Sequence, residues 1–131
     1  MIFRSNRSGK FQLYESHRSS ETDAFSEATA LGDTINRNIR GRSALTGDGL
    51  SLYFQQRNGT LVMTNRASLD DPFCEPIDLG INVGETSAHL EVATDGKTLF
   101  FSCQLSDTLG KEDIYVSKLV PKKIDSTTQS P

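Results

Sequence analysis

Short apolar runs, each bounded by glycine, proline, asparagine or aspartate, recur along the whole chain. Residues 52–55 and 98–102 hold aromatic and aliphatic residues at consecutive positions, which predicts strands that are buried on both faces. An Asp-Gly dipeptide precedes each run, at 48–49 and at 95–96, and Asp-Gly between extended segments indicates a hairpin turn. Since no window keeps the apolar spacing of an amphipathic helix, the pattern predicts an all-β protein.

Two stretches of the chain are near-copies of one another. Residues 13–32 and 61–80, at an offset of 48, are identical at eight of twenty positions. A second pair, residues 46–55 and 93–102, shares the Asp-Gly turn, a leucine and a phenylalanine at an offset of 47. Because propeller blades repeat at about 40–50 residues, this period predicts a β-propeller built from four-stranded units.

The predicted fold is a partial β-propeller of about two and a half to three four-stranded antiparallel blades over residues 1–119. Blade boundaries are expected near residues 41 and 87. Residues 120–131 are polar and aperiodic, and we expect them to be disordered. The predicted strands are residues 43–46 and 88–94 (first of a blade), 52–55 and 98–102 (second), 11–15, 61–64 and 114–117 (third), and 25–30 and 73–77 (fourth).

Three segments carry a family resemblance. DGKTLFFS at 95–102 and EDIYVSKL at 112–119 resemble the WD40-like propeller repeat of TolB-type proteins. FCEPIDLG at 73–80 is similar to the same repeat, with Phe73 in the place of its usual tryptophan. The resemblance covers roughly residues 1–120 and is weaker in the first blade. It implies a propeller used for binding, and a place in the bacterial periplasm or cell envelope if a leader lies upstream.

The predicted propeller is incomplete. Closed propellers use about four to eight blades, and a blade buries both faces against its neighbours. A shorter stack leaves two large apolar faces in water. Three outcomes stay open: the chain is part of a longer propeller, it assembles with copies of itself into a ring, or it forms an open stack. Further blades, from the same chain upstream or from a second copy, are therefore expected partners.

Charge, hydropathy and cysteine usage exclude little. The net charge of −3 is divided into +3 over residues 1–66 and −6 over residues 67–131, and this small basic excess does not favour a nucleic-acid partner. No apolar run reaches the ~18 residues that span a bilayer. The N-terminus lacks a secretory signal, so the protein is cytoplasmic or a leader precedes this sequence. Cys74 and Cys103 are expected as two partly buried thiols on strands, or as a disulfide if the protein is exported.

Neither a catalytic constellation nor a metal or cofactor motif is present. Two cysteines outside a Cys-x-x-Cys pair do not predict zinc, and His17 and His89 lie outside any metal-ligand spacing. The candidate ligand-binding side chains lie in loops rich in arginine, asparagine and glutamine, which suit an acidic or polar partner. They are Arg37, Asn38, Arg40, Gln56, Arg57, Asn58, Asn82, Glu85 and His89.

The sequence therefore predicts a non-catalytic binding module that docks a protein or peptide partner. One alternative is an accessory propeller domain of a larger enzyme or sensor, linked to a peptidase or a kinase; it rests on analogy of fold alone. Another is a small glycan-active enzyme, which would need a carboxylate pair at a suitable separation.

Overall fold

The structure is a computed structural model that describes residues 1–84, 89–103 and 113–118. These residues form ten strands and one helical turn. The prediction of an all-β protein is confirmed. The one helix was not predicted, because a single turn is too short to show a 3.6-residue period. The elements are β1 (Ile2–Ser5), β2 (Gln12–Glu15), β3 (Thr29–Ala30), α1 (Asp33–Asn36), β4 (Ile39–Leu45), β5 (Ser51–Gln56), β6 (Thr60–Asn65), β7 (Ile77–Asn82), β8 (His89–Val92), β9 (Thr98–Cys103) and β10 (Asp113–Lys118).

The strands form three antiparallel sheets, and each sheet is a meander of consecutive strands. The first sheet has the order β1-β2-β3, the second β4-β5-β6-β7 and the third β8-β9-β10. The predicted four-stranded unit is thus complete in the second sheet. Among the described residues, the first sheet has no counterpart of β4 and the third sheet has no counterpart of β7.

The second sheet is covered on both faces. Leu52 and Phe54 pack with Leu13 of the first sheet in one apolar cluster, whereas Tyr53 packs with Leu90 of the third sheet in the other. Successive side chains of a strand point to opposite faces, so the continuous apolar run in β5 fills both clusters. Burying a side chain of this size fully is worth ~1.5–3 kcal/mol.

The two Asp-Gly turns have the same hydrogen bonds at an offset of 47. Gly49 N–H donates to Thr46 O and Gly96 N–H donates to Ala93 O, each at 2.9 Å. Both glycines have a positive φ, +75° and +70°, which a residue with a Cβ adopts only under strain. The hairpin prediction at 48–49 and 95–96 is therefore confirmed.

The loops after β2 and β6 also share contacts, at an offset of 48. Ser16 Oγ donates to the Ser26 carbonyl, and Thr64 Oγ1 donates to the Cys74 carbonyl. The two segments that are near-copies in sequence therefore close their loops in the same way. Asp23 N–H and Asp71 N–H extend the match, since each donates to the carbonyl three residues earlier.

The outer strands begin later than the sequence pattern predicted. β7 starts at Ile77, because Pro72 and Pro76 cannot donate to a ladder and keep residues 72–76 in a loop. β3 is only two residues long. Beyond it the Asn36 side chain replaces the neighbouring strand, accepting from Leu13 N–H at 2.7 Å and donating to Leu13 O at 3.2 Å.

Candidate functional site

Most of the predicted loop residues converge at one end of the second sheet. Ile39 at the start of β4 pairs with Gln56 at the end of β5, and Thr60 at the start of β6 pairs with Asn82 at the end of β7. The candidate loops therefore lie at the same end of all four strands. We call this end of the sheet the amide-rich end; it comprises Asn38, Gln56, Asn58 and Asn82.

Side-chain amides link the loops of the amide-rich end to one another. Asn38 Oδ1 accepts from Arg57 N–H at 3.3 Å, and Asn82 Nδ2 donates to Asn58 O at 3.2 Å. These asparagines therefore hold the loops in place, and the Arg57 side chain is exposed beside them. Among the described residues, Arg57 forms no ion pair.

The other predicted candidates lie elsewhere. Arg37 binds the Glu75 carboxylate at 2.8 Å, and both side chains are largely exposed. Arg40 lies within β4 rather than in a loop, because that strand begins at Ile39, two residues before the predicted boundary near 41. His89 is exposed at the start of β8 in the third sheet. Glu85, the predicted boundary near 87 and the tail at 120–131 lie outside the described residues.

A groove that the sequence did not predict lies between the first and second sheets, beside β1 and β4. Its cavity of about 370 Å³ is bordered by two arginines, Arg4 and Arg42. The Arg4 guanidinium lies 4.3 Å from the centre of the Phe11 ring, which is half exposed. We call this cavity the inner groove; it is lined by Ile2, Phe3, Arg4, Phe11, Arg42 and Ser43.

The inner groove runs along an open sheet edge. Within the described chain, β1 pairs with β2 alone. The N-terminal ammonium of Met1 donates to Ser16 O at 2.9 Å, and Ser16 N–H donates to Met1 O at 3.0 Å. Because hydrogen-bonded and non-hydrogen-bonded pairs alternate, the N–H and C=O groups of Ile2 and Arg4 point away from β2 toward the open edge.

The β4 side of the inner groove is irregular. The pairing of β4 with β5 shifts register between Arg40 and Ser43. Arg42 is one of the extra residues that bulge from the strand there. A bulge re-aims side chains and is common beside binding sites. The Arg42 side chain is exposed there.

The most deeply buried charge in the described part of the chain is Arg66, which joins the first and second sheets. Its guanidinium binds the Glu15 carboxylate at 2.8 Å and 3.0 Å, donates to Gly49 O at 2.9 Å and lies 4.3 Å from the centre of the Phe73 ring. Burial alone would raise the pKa of Glu15. Hydrogen bonds and charge from Arg66 and His17 outweigh burial and hold that pKa below its ordinary value.

Two cavities of about 340 Å³ each flank this ion pair and share Glu15, Arg66 and Leu69 in their walls. Sequence reasoning missed Arg66, although a signal for its contact with Phe73 was present. The repeat mates of Arg66 and Phe73 are Arg18 and Phe25, and they stack in the same way at 4.5 Å. An arginine and an aromatic residue that recur together mark a structural contact of the repeat.

Cysteine and metal chemistry give no second site within the described residues. Cys74 is an exposed thiol in the loop before β7, so its expected place as a partly buried thiol on a strand was wrong. The Cys103 side chain lies outside the described set. Within the described ranges, no three His, Cys, Asp or Glu side chains are grouped to hold a metal ion. No helix of the described chain is long and apolar enough to cross a bilayer.

Comparisons with known proteins identify no relative: no family model matches the sequence, and neither a curated protein nor a solved structure matches it significantly.

Proposed function

We propose that the three sheets are successive blades of a partial β-propeller. Three features support the proposal: each sheet is a meander of consecutive strands, the second sheet packs between the other two, and hairpin and loop contacts recur at offsets of 47 and 48. In this arrangement β4 and β8 are the innermost strands of their blades. Among the described residues the first sheet has no strand in that position, and β1 lies at its inner edge.

We further propose that the chain is a binding module for an extended, acidic peptide, which pairs with β1 on the side away from β2. The observation that supports it best is the open β1 edge beside the arginine-lined inner groove. The N–H and C=O groups of Ile2 and Arg4 offer up to four hydrogen bonds to an added strand. Such main-chain pairing supplies affinity, and pockets for alternate side chains supply specificity.

The charge of the groove favours an acidic peptide. Arg4 and Arg42 border the cavity, and Arg40 and Arg57 lie beyond it on β4 and at the amide-rich end. In the described chain, none of these four arginines forms an ion pair with a carboxylate. Glutamate side chains at alternate positions of a bound strand would face the groove and form charge-assisted hydrogen bonds with guanidinium groups.

Fluorescence anisotropy tests the proposal with a labelled ten-residue peptide that alternates glutamate and valine. We expect it to bind at least tenfold more tightly than the same peptide with lysine for glutamate, and to weaken as salt is raised. Arg42→Gln should weaken binding about threefold to tenfold, which corresponds to losing one hydrogen bond worth about 0.7–1.4 kcal/mol at an exposed site. Arg18→Gln is the matched control, since Arg18 is exposed in the loop after β2, and it should leave binding unchanged.

A second peptide separates strand pairing from charge attraction. N-methylation at alternate residues removes the N–H groups along one edge of the peptide and leaves its charge intact. We expect this peptide to lose at least tenfold in affinity when the methylated edge faces β1. Equal binding of the acidic and lysine peptides, or of the methylated and unmethylated peptides, would overturn the proposed mode.

A further inference from the structure

Equivalent positions of the three sheets differ sharply in exposure. Three apolar residues occupy equivalent positions: Leu13 in β2, Leu61 in β6 and Ile114 in β10. In each sheet, the residue that follows pairs with a phenylalanine of the preceding strand. Leu13 and Leu61 are each 1% exposed, because the next sheet covers them, whereas Ile114 is 78% exposed. The third sheet therefore presents to solvent a face that its two counterparts bury.

Neighbouring residues show the same contrast. Tyr53, which faces the third sheet, is 1% exposed, and its counterpart Phe100 is 39% exposed. Phe100 pairs with Val116, which is 61% exposed, and with Glu91 on the other side. We call Phe100, Ile114 and Val116 the third-sheet face. The exposed Glu91 side chain lies beside Phe100 on the same side of the sheet.

The outward face of the first sheet has the complementary features. Phe3 and Tyr14 stack with ring centres 6.0 Å apart at 20°, as Phe101 and Tyr115 do at 5.8 Å and 18° where the third sheet packs on the second. The Arg7 guanidinium lies 5.3 Å and 4.8 Å from the two ring centres of the first sheet. The Phe3–Tyr14 pair therefore resembles the aromatic pair that packs against the second sheet, and a guanidinium group lies beside it.

We propose that the third-sheet face of one chain binds the outward face of the first sheet of a second copy, head to tail. The contact continues the stacking order that already exists between the first and second sheets and between the second and third. Glu91 adds a carboxylate to one of these faces and Arg7 adds a guanidinium to the other, so the two groups are opposite in charge. Such a contact is heterologous, and it closes into a ring or extends as a filament.

Sedimentation velocity over a hundredfold range of concentration tests the proposal. We expect the mass of the wild-type chain to rise with concentration, and Ile114→Glu to keep the chain monomeric. Ile77→Glu is the matched control; Ile77 is 57% exposed on the outer strand β7 and should not alter association. A wild-type chain that stays monomeric throughout would overturn the proposal, since the third-sheet face would then need another occupant.

A mixing experiment distinguishes head-to-tail contact from pairing of two identical faces. Ala30→Glu places a charge on the outward face of the first sheet, because exposed Ala30 pairs with Tyr14 on that face. Each variant alone should be monomeric, and an equimolar mixture of Ile114→Glu and Ala30→Glu should form a dimer. Self-association of Ala30→Glu alone would show that third-sheet faces pair with each other and would refute the head-to-tail contact. The two proposals share Phe3 but are tested by different substitutions and different measurements, so either can fail without the other.

Discussion

Replacing Arg66 by methionine should remove a large part of the stability of the fold. The side chain is 3% exposed and neutralises Glu15, whose side chain is 13% exposed. Arg66→Met deletes two hydrogen bonds to that carboxylate and one to Gly49 O, and leaves the partly buried carboxylate with His17 in place of a permanent cation. Breaking a buried pair in this way costs about 3–5 kcal/mol, against a total of about 5–15 kcal/mol for a small domain.

The repeat provides the control for this substitution. Arg18 occupies the equivalent position, stacks on Phe25 and donates to Glu21 O, but it is exposed. Arg18→Met should therefore cost less than about 1 kcal/mol. Urea denaturation followed by circular dichroism measures both free energies of unfolding.

A second substitution separates charge from packing. Glu15→Gln in the Arg66→Met background removes the carboxylate charge that has lost Arg66, and should recover about 1–3 kcal/mol relative to Arg66→Met alone. If Arg66→Met and Arg18→Met destabilise the chain equally, within about 0.5 kcal/mol, the argument from burial is wrong.

Three further outcomes are expected. Leu61→Ala should cost about 2–5 kcal/mol in urea denaturation, because Leu61 is 1% exposed between two sheets; a loss under 1 kcal/mol would contradict its burial. The Asp95 pKa is lowered from 3.8 to about 2 by hydrogen bonds from the residues of its turn, so its stabilising contribution is present above pH 3.8 and lost as the pH falls toward 2. Asp95→Asn should flatten thermal stability over that range, and an unchanged pH profile would refute the assignment. Gly59→Ala should lower the melting temperature more than Gly9→Ala, since both have φ near +90° but only at Gly59 would a Cβ collide with Gly84 O; equal shifts would exclude the collision.

Local patterns predicted much of the architecture. The Asp-Gly turns and the continuous apolar runs specify hairpins and buried strands through backbone preference and burial alone. The same signals could not give the exact start of β7, which depends on which residues after Pro76 find a partner in β6. Nor could they predict α1, whose Asn36 replaces a strand by binding the backbone of Leu13, 23 residues away.

The candidate site was only partly predictable. The amide-rich loops can be recognised from the composition of the sequence. The order of the strands then places Asn38 and Asn58 at the same end of the second sheet. The inner groove needs long-range information, because Arg4 and Arg42 meet only when the first and second sheets pack together. The partner of Arg66 is likewise a residue of another sheet, and no local pattern indicates that Glu15 accepts its charge.

Backbone amide hydrogen exchange, followed by NMR, tests the stacking of the three sheets most directly. Tyr53 and Phe54 lie in β5, paired with strands on both sides and covered by a sheet on both faces. If the second sheet is enclosed in this way, their amides exchange only through global unfolding, with an exchange free energy equal to that from urea denaturation. Exchange of these amides as fast as those of the outer strand β7 would contradict the stacked arrangement.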